Sequence, residues 1–387
     1  MTDLAGSCAM CCISVITPLH RLCVTDLSPW FDEINRTSCM VQEALDSPQV
    51  LRPFHRSIHM KKSLIALAVL ASTGAAMAQS NVTLYGRIDT SIGSNKVNGV
   101  SNTQMFSGNL SSTRWGLRGS EDLGGGLKAN FNLEQGFDSS DGTQNAGSAF
   151  DRQSWVGLSG GFGAVKIGRS DTSFDDIRDL AVSSNLWDSE FTPTKIAYTA
   201  GVPDYSSRAS NQIRYESPSF AGFSFGVGYG LDEQASPIKR DVLSYNLRYR
   251  AGNLDVGVGR QEQKHESAPA TDREYTAISG AYNFGVARVS AGFNRAENGA
   301  NLRDNELSVG VNVPLGAFEV SVGYARSKSE AAGVTTAKGS AFGLGATYAL
   351  SKRTRLYGAY LDGDVENGAG VTITDRRMYS FGVRHDF

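Results

Sequence analysis

Arg114 and Arg118 stand four residues apart in a stretch whose intervening positions include the apolar Trp115 and Leu117. In an extended chain, alternate side chains point to opposite faces, so the two guanidinium groups share one face and the apolar pair the other. Arg208 is in phase with Arg214 and opposite Ile213 by the same rule. Arginine stays charged and offers five donors in a rigid fork, so such a face attracts and orients an anion. A second charged group lies between residues 170 and 207, where Asp171, Asp175, Asp176, Asp179, Asp188 and Glu190 follow one another. Bond-making chemistry finds no comparable set. Beyond residue 78 the histidines are His265 and His385, and neither lies in a nucleophile motif. The glycines 124–126 lack the Gly-Lys-Ser/Thr that completes a phosphate loop. No Cys/His/carboxylate cluster suggests a catalytic metal. These observations predict no enzyme, no cofactor and no metal site.

The elements that carry these charges alternate with period two. Val82, Leu84, Ile88 and Ile92 alternate with Thr83, Tyr85, Arg87, Asp89 and Ser91. Phe223–Tyr229, Leu243–Tyr249, Leu307–Val313 and Phe318–Tyr324 repeat the pattern. Each reads as a strand with one apolar and one polar face. The polar faces carry Lys128, Glu134, Arg248, Arg250, Arg288 and Glu319, too much charge for a dry core. Seven short turns punctuate the chain, at 123–126, 159–163, 218–222, 251–253, 283–285, 314–317 and 351–353. Eight longer polar segments alternate with them: 94–111, 138–149, 170–207, 230–241, 261–274, 295–305, 327–338 and 362–376. Fifteen connections join sixteen strands, with both ends of the run on the short-turn side. Strict short–long alternation is the plan of a transmembrane β-barrel. In lipid, open backbone groups find no water, so the sheet must close on itself. A sixteen-stranded ring is wide enough for an aqueous channel. The predicted fold is all-β: a sixteen-stranded antiparallel transmembrane barrel. A soluble β-sandwich shares the alternation but leaves the turn order unexplained.

Composition agrees. The chain has 387 residues, 40% apolar and 20% charged, with 43 Gly and 10 Pro. A net charge of −2 suggests no nucleic-acid partner. All five cysteines, Cys8, Cys11, Cys12, Cys23 and Cys39, precede Met60. From Met60 the sequence changes. Lys61 and Lys62 lead into the apolar run 64–70, and Ala76-Met77-Ala78 precedes Gln79. This is the layout of a secretory signal, too short in its apolar part to span a bilayer. The expected division is 1–59 as an over-extended gene start, 60–78 as signal peptide and 79–387 as barrel. The other reading of 1–59 is a cytosolic extension with metal bound through Cys8, Cys11 and Cys12, a spacing that lacks a second pair. At the far end Tyr379, Phe381 and Val383 alternate, and Phe387 closes the sequence as a terminal aromatic, an assembly signal for barrel-insertion machinery. Tyr85, Trp115, Tyr229 and Tyr249 sit where interfacial girdles or a subunit interface would need them.

Particular segments resemble a known family. Val82-Thr83-Leu84-Tyr85-Gly86, the run from Ser112 to Ala129, Arg152-Gln153 with 156–160, 167–169, 350–358 and 382–385 are similar to the Gram-negative porins of β-proteobacteria. The resemblance covers Gln79 to Phe387. It implies a homotrimer of barrels in the outer membrane, among its lipid and lipopolysaccharide, each passing small hydrophilic solutes and ions. It also implies a third loop folded into the barrel. The family's wall arginines fall on Arg114, Arg152 and Arg208, with Arg118 on the same face as Arg114. Strand phase does not settle Arg152, which is in step with Val156 and Leu158 and needs a bulge or a strand end to face inward. The acids that face the wall are expected among Asp171, Asp175, Asp176 and Glu190. A substrate-preferring channel for an anionic or organic solute, and an adhesin or receptor barrel, are the alternative readings.

Overall fold

The computed structural model describes residues 81–145, 148–182, 187, 190–233, 240–264 and 272–387. The expected extension 1–59 with its cysteines, the signal 60–78, Asp188 and His265 lie outside the described residues.

Seventeen strands form one antiparallel sheet. They are β1 (Asn81–Val97), β2 (Val100–Ser107), β3 (Arg114–Gly124), β4 (Leu127–Gly136), β5 (Gln153–Gly160), β6 (Gly163–Asp171), β7 (Arg208–Glu216), β8 (Phe223–Gly230) and β9 (Val242–Ala251). They continue as β10 (Leu254–Gln263), β11 (Arg273–Asn283), β12 (Arg288–Asn298), β13 (Leu302–Leu315), β14 (Phe318–Ala331), β15 (Val334–Ala349), β16 (Thr354–Asn367) and β17 (Thr372–Asp386). Each pairs with its neighbour in sequence, except that β2 and β3 both pair with β1, and β1 pairs with β17 from Arg87↔Asp386 to Val97↔Arg376, which closes the ring. β2 and β3 lie end to end along the same edge of β1, β2 against Thr90–Val97 and β3 against Asn81–Arg87. Together they make one stave, so the ring has sixteen.

Alternation decides the two faces. Val82, Ile278 and Phe381 are 62%, 59% and 67% exposed, whereas Ser244, Ser308 and Ser380 are fully buried on the opposite face. The apolar face therefore points out and the polar face in, the arrangement stable between hydrocarbon and a wet interior.

The seven short turns fall where the sequence predicts them. Four of the eight expected long loops do not. Segments 295–305, 327–338 and 362–376 are largely strand, and 94–111 contains the end of β1 and all of β2. Asn98-Gly99 and Ala332-Gly333 have positive φ at both central residues (49° and 86°, 48° and 82°). That is the tight hairpin turn whose twist matches paired strands. Beyond the lipid both faces meet water, so apolar alternation fades there while backbone pairing continues.

The segment between β6 and β7 contains two short helices, α1 (Asp175–Val182) and α2 (Pro193–Ala197). Phe174, Ile177, Leu180 and Val202 pack on Tyr275, Ala277 and Ala296 of β11 and β12. Trp187, Phe191, Ile196 and Ala197 pack on Ala325, Ala341, Tyr357, Leu361 and Met378 of β14–β17. These wall residues belong to the polar-face register, and they are small or apolar because the segment covers them. Gly339 shows how close it lies: a Cβ there would stand 2.0 Å from the Ala197 carbonyl oxygen. Backbone cannot yield as a flexible side chain does. Gly339→Val should therefore displace α2 at a cost of about 1–3 kcal/mol, and raise single-channel conductance in planar bilayers. Unchanged conductance would mean that α2 does not limit current.

Candidate functional site

The charged wall is built on β1, β3 and β4. Register sets Arg87 directly opposite Arg114, and Tyr85 opposite Gly116. Glu134 lies opposite Gly116 on the other side. All are on the polar face. Glu134 takes both Arg114 Nε at 3.3 Å and Arg152 Nε at 2.6 Å. The Tyr85 hydroxyl lies 2.9 Å from Glu134 and 2.8 Å from Asn132. Arg118 stacks over the Tyr85 ring, 4.8 Å from its centroid. Arg87 pairs with Asp386 at 2.7 Å. Arg152 precedes the first residue of β5, so strand phase does not bind it, and this strand-end position turns it toward Glu134.

Arg114 opens β3 because the chain breaks after β2. Gly108, at φ 77°, begins the break. Asp89 then holds it: the backbone N–H groups of Leu110 and Ser111 donate to Asp89 Oδ2 at 2.8 and 2.7 Å, and Tyr357 donates its hydroxyl to Asp89 Oδ1. A fully buried carboxylate so satisfied is a rigid anchor.

A second cluster joins β6, β7 and α1. Arg208 Nε lies 2.8 Å from Asp171 Oδ1, and Gln153 donates to the other Asp171 oxygen at 2.8 Å. Asp176 pairs with Arg214 and accepts from Asn246 at 3.1 Å. Tyr205 donates to Asp175, and Arg178 lies 3.8 Å from Glu306 and stacks on Tyr205 at 5.0 Å.

Of the residues expected from sequence, the structure brings together Arg114, Arg152 and, through Tyr85, Arg118. It separately joins Arg208 to Asp171. It does not set Asp175, Asp176 or Glu190 in ion pairs with the first three arginines. Asp175 and Asp176 are taken up by Tyr205, Arg214 and Asn246. Glu190 pairs at the surface with Lys195, 2.6 Å away. Tyr85 is no girdle residue, since it faces the interior, while Tyr229 and Tyr249 lie in outward register on β8 and β9. Sequence reading did not assign roles to Asp89, Arg178, Tyr205 or Glu306. The signal available for Glu306 was a carboxylate in phase with Ser308 on a polar face.

Burial pushes the Asp175 carboxyl up from 3.8 to about 7, against the opposing hydrogen bond from Tyr205. A folded value above the unfolded one favours the native state most fully below pH 3.8, and that contribution is lost as pH rises through about 7. The unfolding midpoint should therefore fall between about pH 4 and about pH 7, and Asp175→Asn should flatten that fall. Circular dichroism melts of both proteins in detergent check this; parallel curves would exclude Asp175 as the source.

A closed ring of strands, apolar outside and charged inside, defines a transmembrane channel rather than a catalyst. The chain belongs to the Gram-negative porins: the family model of that description matches residues 63–368. It is 37% identical to outer membrane porin protein 32 of Delftia acidovorans, over 84% of this chain and 95% of that one. It is 31% identical to an outer membrane porin protein of Bordetella pertussis, over 85% of this chain and 100% of that one. Among solved structures it resembles the anion-selective porin from Comamonas acidovorans, with a TM-score of 0.69, 32% identity, and coverage of 80% of this chain and 100% of that one. The protein thus resides in the outer membrane. There it forms a water-filled channel for passive diffusion of small hydrophilic solutes and ions.

Proposed function

We propose that the channel prefers anions, and that the preference is set where Arg87, Arg114, Arg118 and Arg152 surround Glu134. The observation that carries this is the shortage of acid at the wall: Glu134 serves two arginines and Asp386 a third, while Arg118 has an aromatic face in place of a carboxylate. Screening over about 8 Å confines the field to this level of the channel. The overall charge of −2 therefore does not decide the sign. The segment 172–207 acts as an infolded third loop that narrows the channel beside this wall. Asp171 and Asp176 hold that loop to β7 and β9, and Asp175 ties it to its own Tyr205, more than they face the first arginine cluster. A polar solute aligns in such a gap, and an apolar one must displace ordered water. The similarity to the anion-selective porin from Comamonas acidovorans supports the sign.

The outward apolar face fits a homotrimer embedded in outer-membrane lipid and lipopolysaccharide, and Phe387 is the residue read by the insertion machinery. Reversal potentials across a salt gradient test the selectivity. A potential of the sign set by chloride supports it, and one set by potassium excludes it.

A further inference from the structure

Above the apolar band, the outward face of β12–β15 changes character within a few residues. Register places Arg295, Asn305, Lys328 and Lys338 in one row across the four strands. The next row toward the short-turn end is Phe293, Leu307, Arg326 and Ser340. Below it lie Tyr324 and Phe342, both exposed. Rows on one face are about 7 Å apart. Lys328 and Lys338 are direct cross-strand partners, an arrangement that like charges disfavour, and Glu366 stands opposite Lys338 on its other side. Lys328 has Glu330 at 2.6 Å, but among the described residues Arg326 and Lys338 make no ion pair. Phe293, Leu307, Tyr324, Arg326 and Lys338 line one cleft of about 610 Å³, bounded on β16 by Asp364 and Glu366. The cleft opens outward and lies near the hairpin turn 332–333, at the end opposite the short turns. In barrels of this type that end faces outside the cell.

We propose that this cleft seats the phosphate-bearing headgroup of an outer-leaflet lipid, with Arg326 and Lys338 on the phosphate and acyl chains against Phe293, Tyr324 and Phe342. The proposal rests on the outer-membrane setting and specifies the lipid partner named above. Basic groups just beyond an apolar band are the arrangement that holds anionic headgroups. Asp364 and Glu366 confine the anion to the β13–β15 side. Because all these side chains face away from the interior, the site is independent of conduction.

Native mass spectrometry of the folded protein in detergent tests it. The probes are a diphosphorylated glucosamine-disaccharide lipid, its dephosphorylated form and inorganic pyrophosphate. The phosphorylated lipid should bind the wild-type protein well above its dephosphorylated form. R326Q/K338Q should bind it about thirtyfold more weakly, while Lys352→Gln, in a short turn at the other end, leaves binding unchanged. Conductance of the double variant should equal that of the wild type, which reports folding and the channel separately from the lipid. Equal binding of both lipid forms to the wild type would overturn the proposal without any variant. So would undiminished binding to R326Q/K338Q, or full displacement of the lipid by pyrophosphate, which marks a surface site for free anions only.

Discussion

Arg114→Glu combined with Arg152→Glu should turn the channel cation-selective, with an anion-to-cation permeability ratio changed on the order of tenfold or more. Each substitution changes the local charge by two units. One unit at about 5 Å contributes roughly 0.8 kcal/mol in water and about 3 kcal/mol near a protein surface. The effect has opposite sign for anions and cations, so the ratio moves twice over. Glu134 then loses both its arginine partners and adds to the reversal. Arg208→Glu should act in the same direction but less, and should also loosen the loop, because Arg208 already has Asp171 2.8 Å away. Glu134→Gln should move selectivity the other way, since it frees two guanidinium groups while keeping an amide for Tyr85. Reversal potentials in a salt gradient, measured on all these variants, give the order. Unchanged potentials for the double variant would remove this wall from the selectivity determinant.

Deleting Phe387 should reduce folded protein in the outer membrane at least tenfold. Its backbone N–H donates to the Gly86 carbonyl at 3.0 Å, and Gly86 N–H returns the bond at 3.1 Å. This pair is the last rung of the β1–β17 seam. An unpaired backbone group facing lipid costs several kcal/mol, far more than the roughly 1 kcal/mol net value of such a bond in a soluble protein. The ring itself lies over Gly86, where an added Cβ would stand 2.2 Å from Phe387 Cζ. Phe387→Ala keeps both rungs and loses only the ring. Heat-dependent mobility on gels and single-channel recording after refolding in vitro separate the two roles. If the deletion lowers cellular yield but refolds normally, the residue acts as an assembly signal. If it also fails to close in vitro, the seam needs it. Wild-type yield of the deletion in cells would exclude the assembly role.

The β-barrel itself was legible because its cause is local. Val82, Leu84 and Ile88 must face hydrocarbon while Tyr85, Arg87 and Asp89 face the polar interior, and a two-residue period follows from pleating alone. The placement of Arg114 on the polar face was legible for the same reason. Arg152 was not, because it stands one residue before its strand and its direction depends on Glu134 eighteen positions away in the chain. The long-connection end was misread where polar residues such as Arg303 and Lys328 sit on paired strands beyond the apolar band. Alternation reports the solvent on each face, and there the solvent is the same on both.

Alternating polarity and the order of short and long connections determine a closed ring with a wet interior, because lipid allows no other solution for those faces. Which acid meets which arginine was decided only by the tertiary structure. Glu134 serving Arg114 and Arg152, Asp176 drawn to Arg214, and α2 lying on Ala325 and Gly339 all depend on register across the ring and on the path of one loop. Coulomb attraction acts over distances in space, and those distances do not exist until the ring has closed.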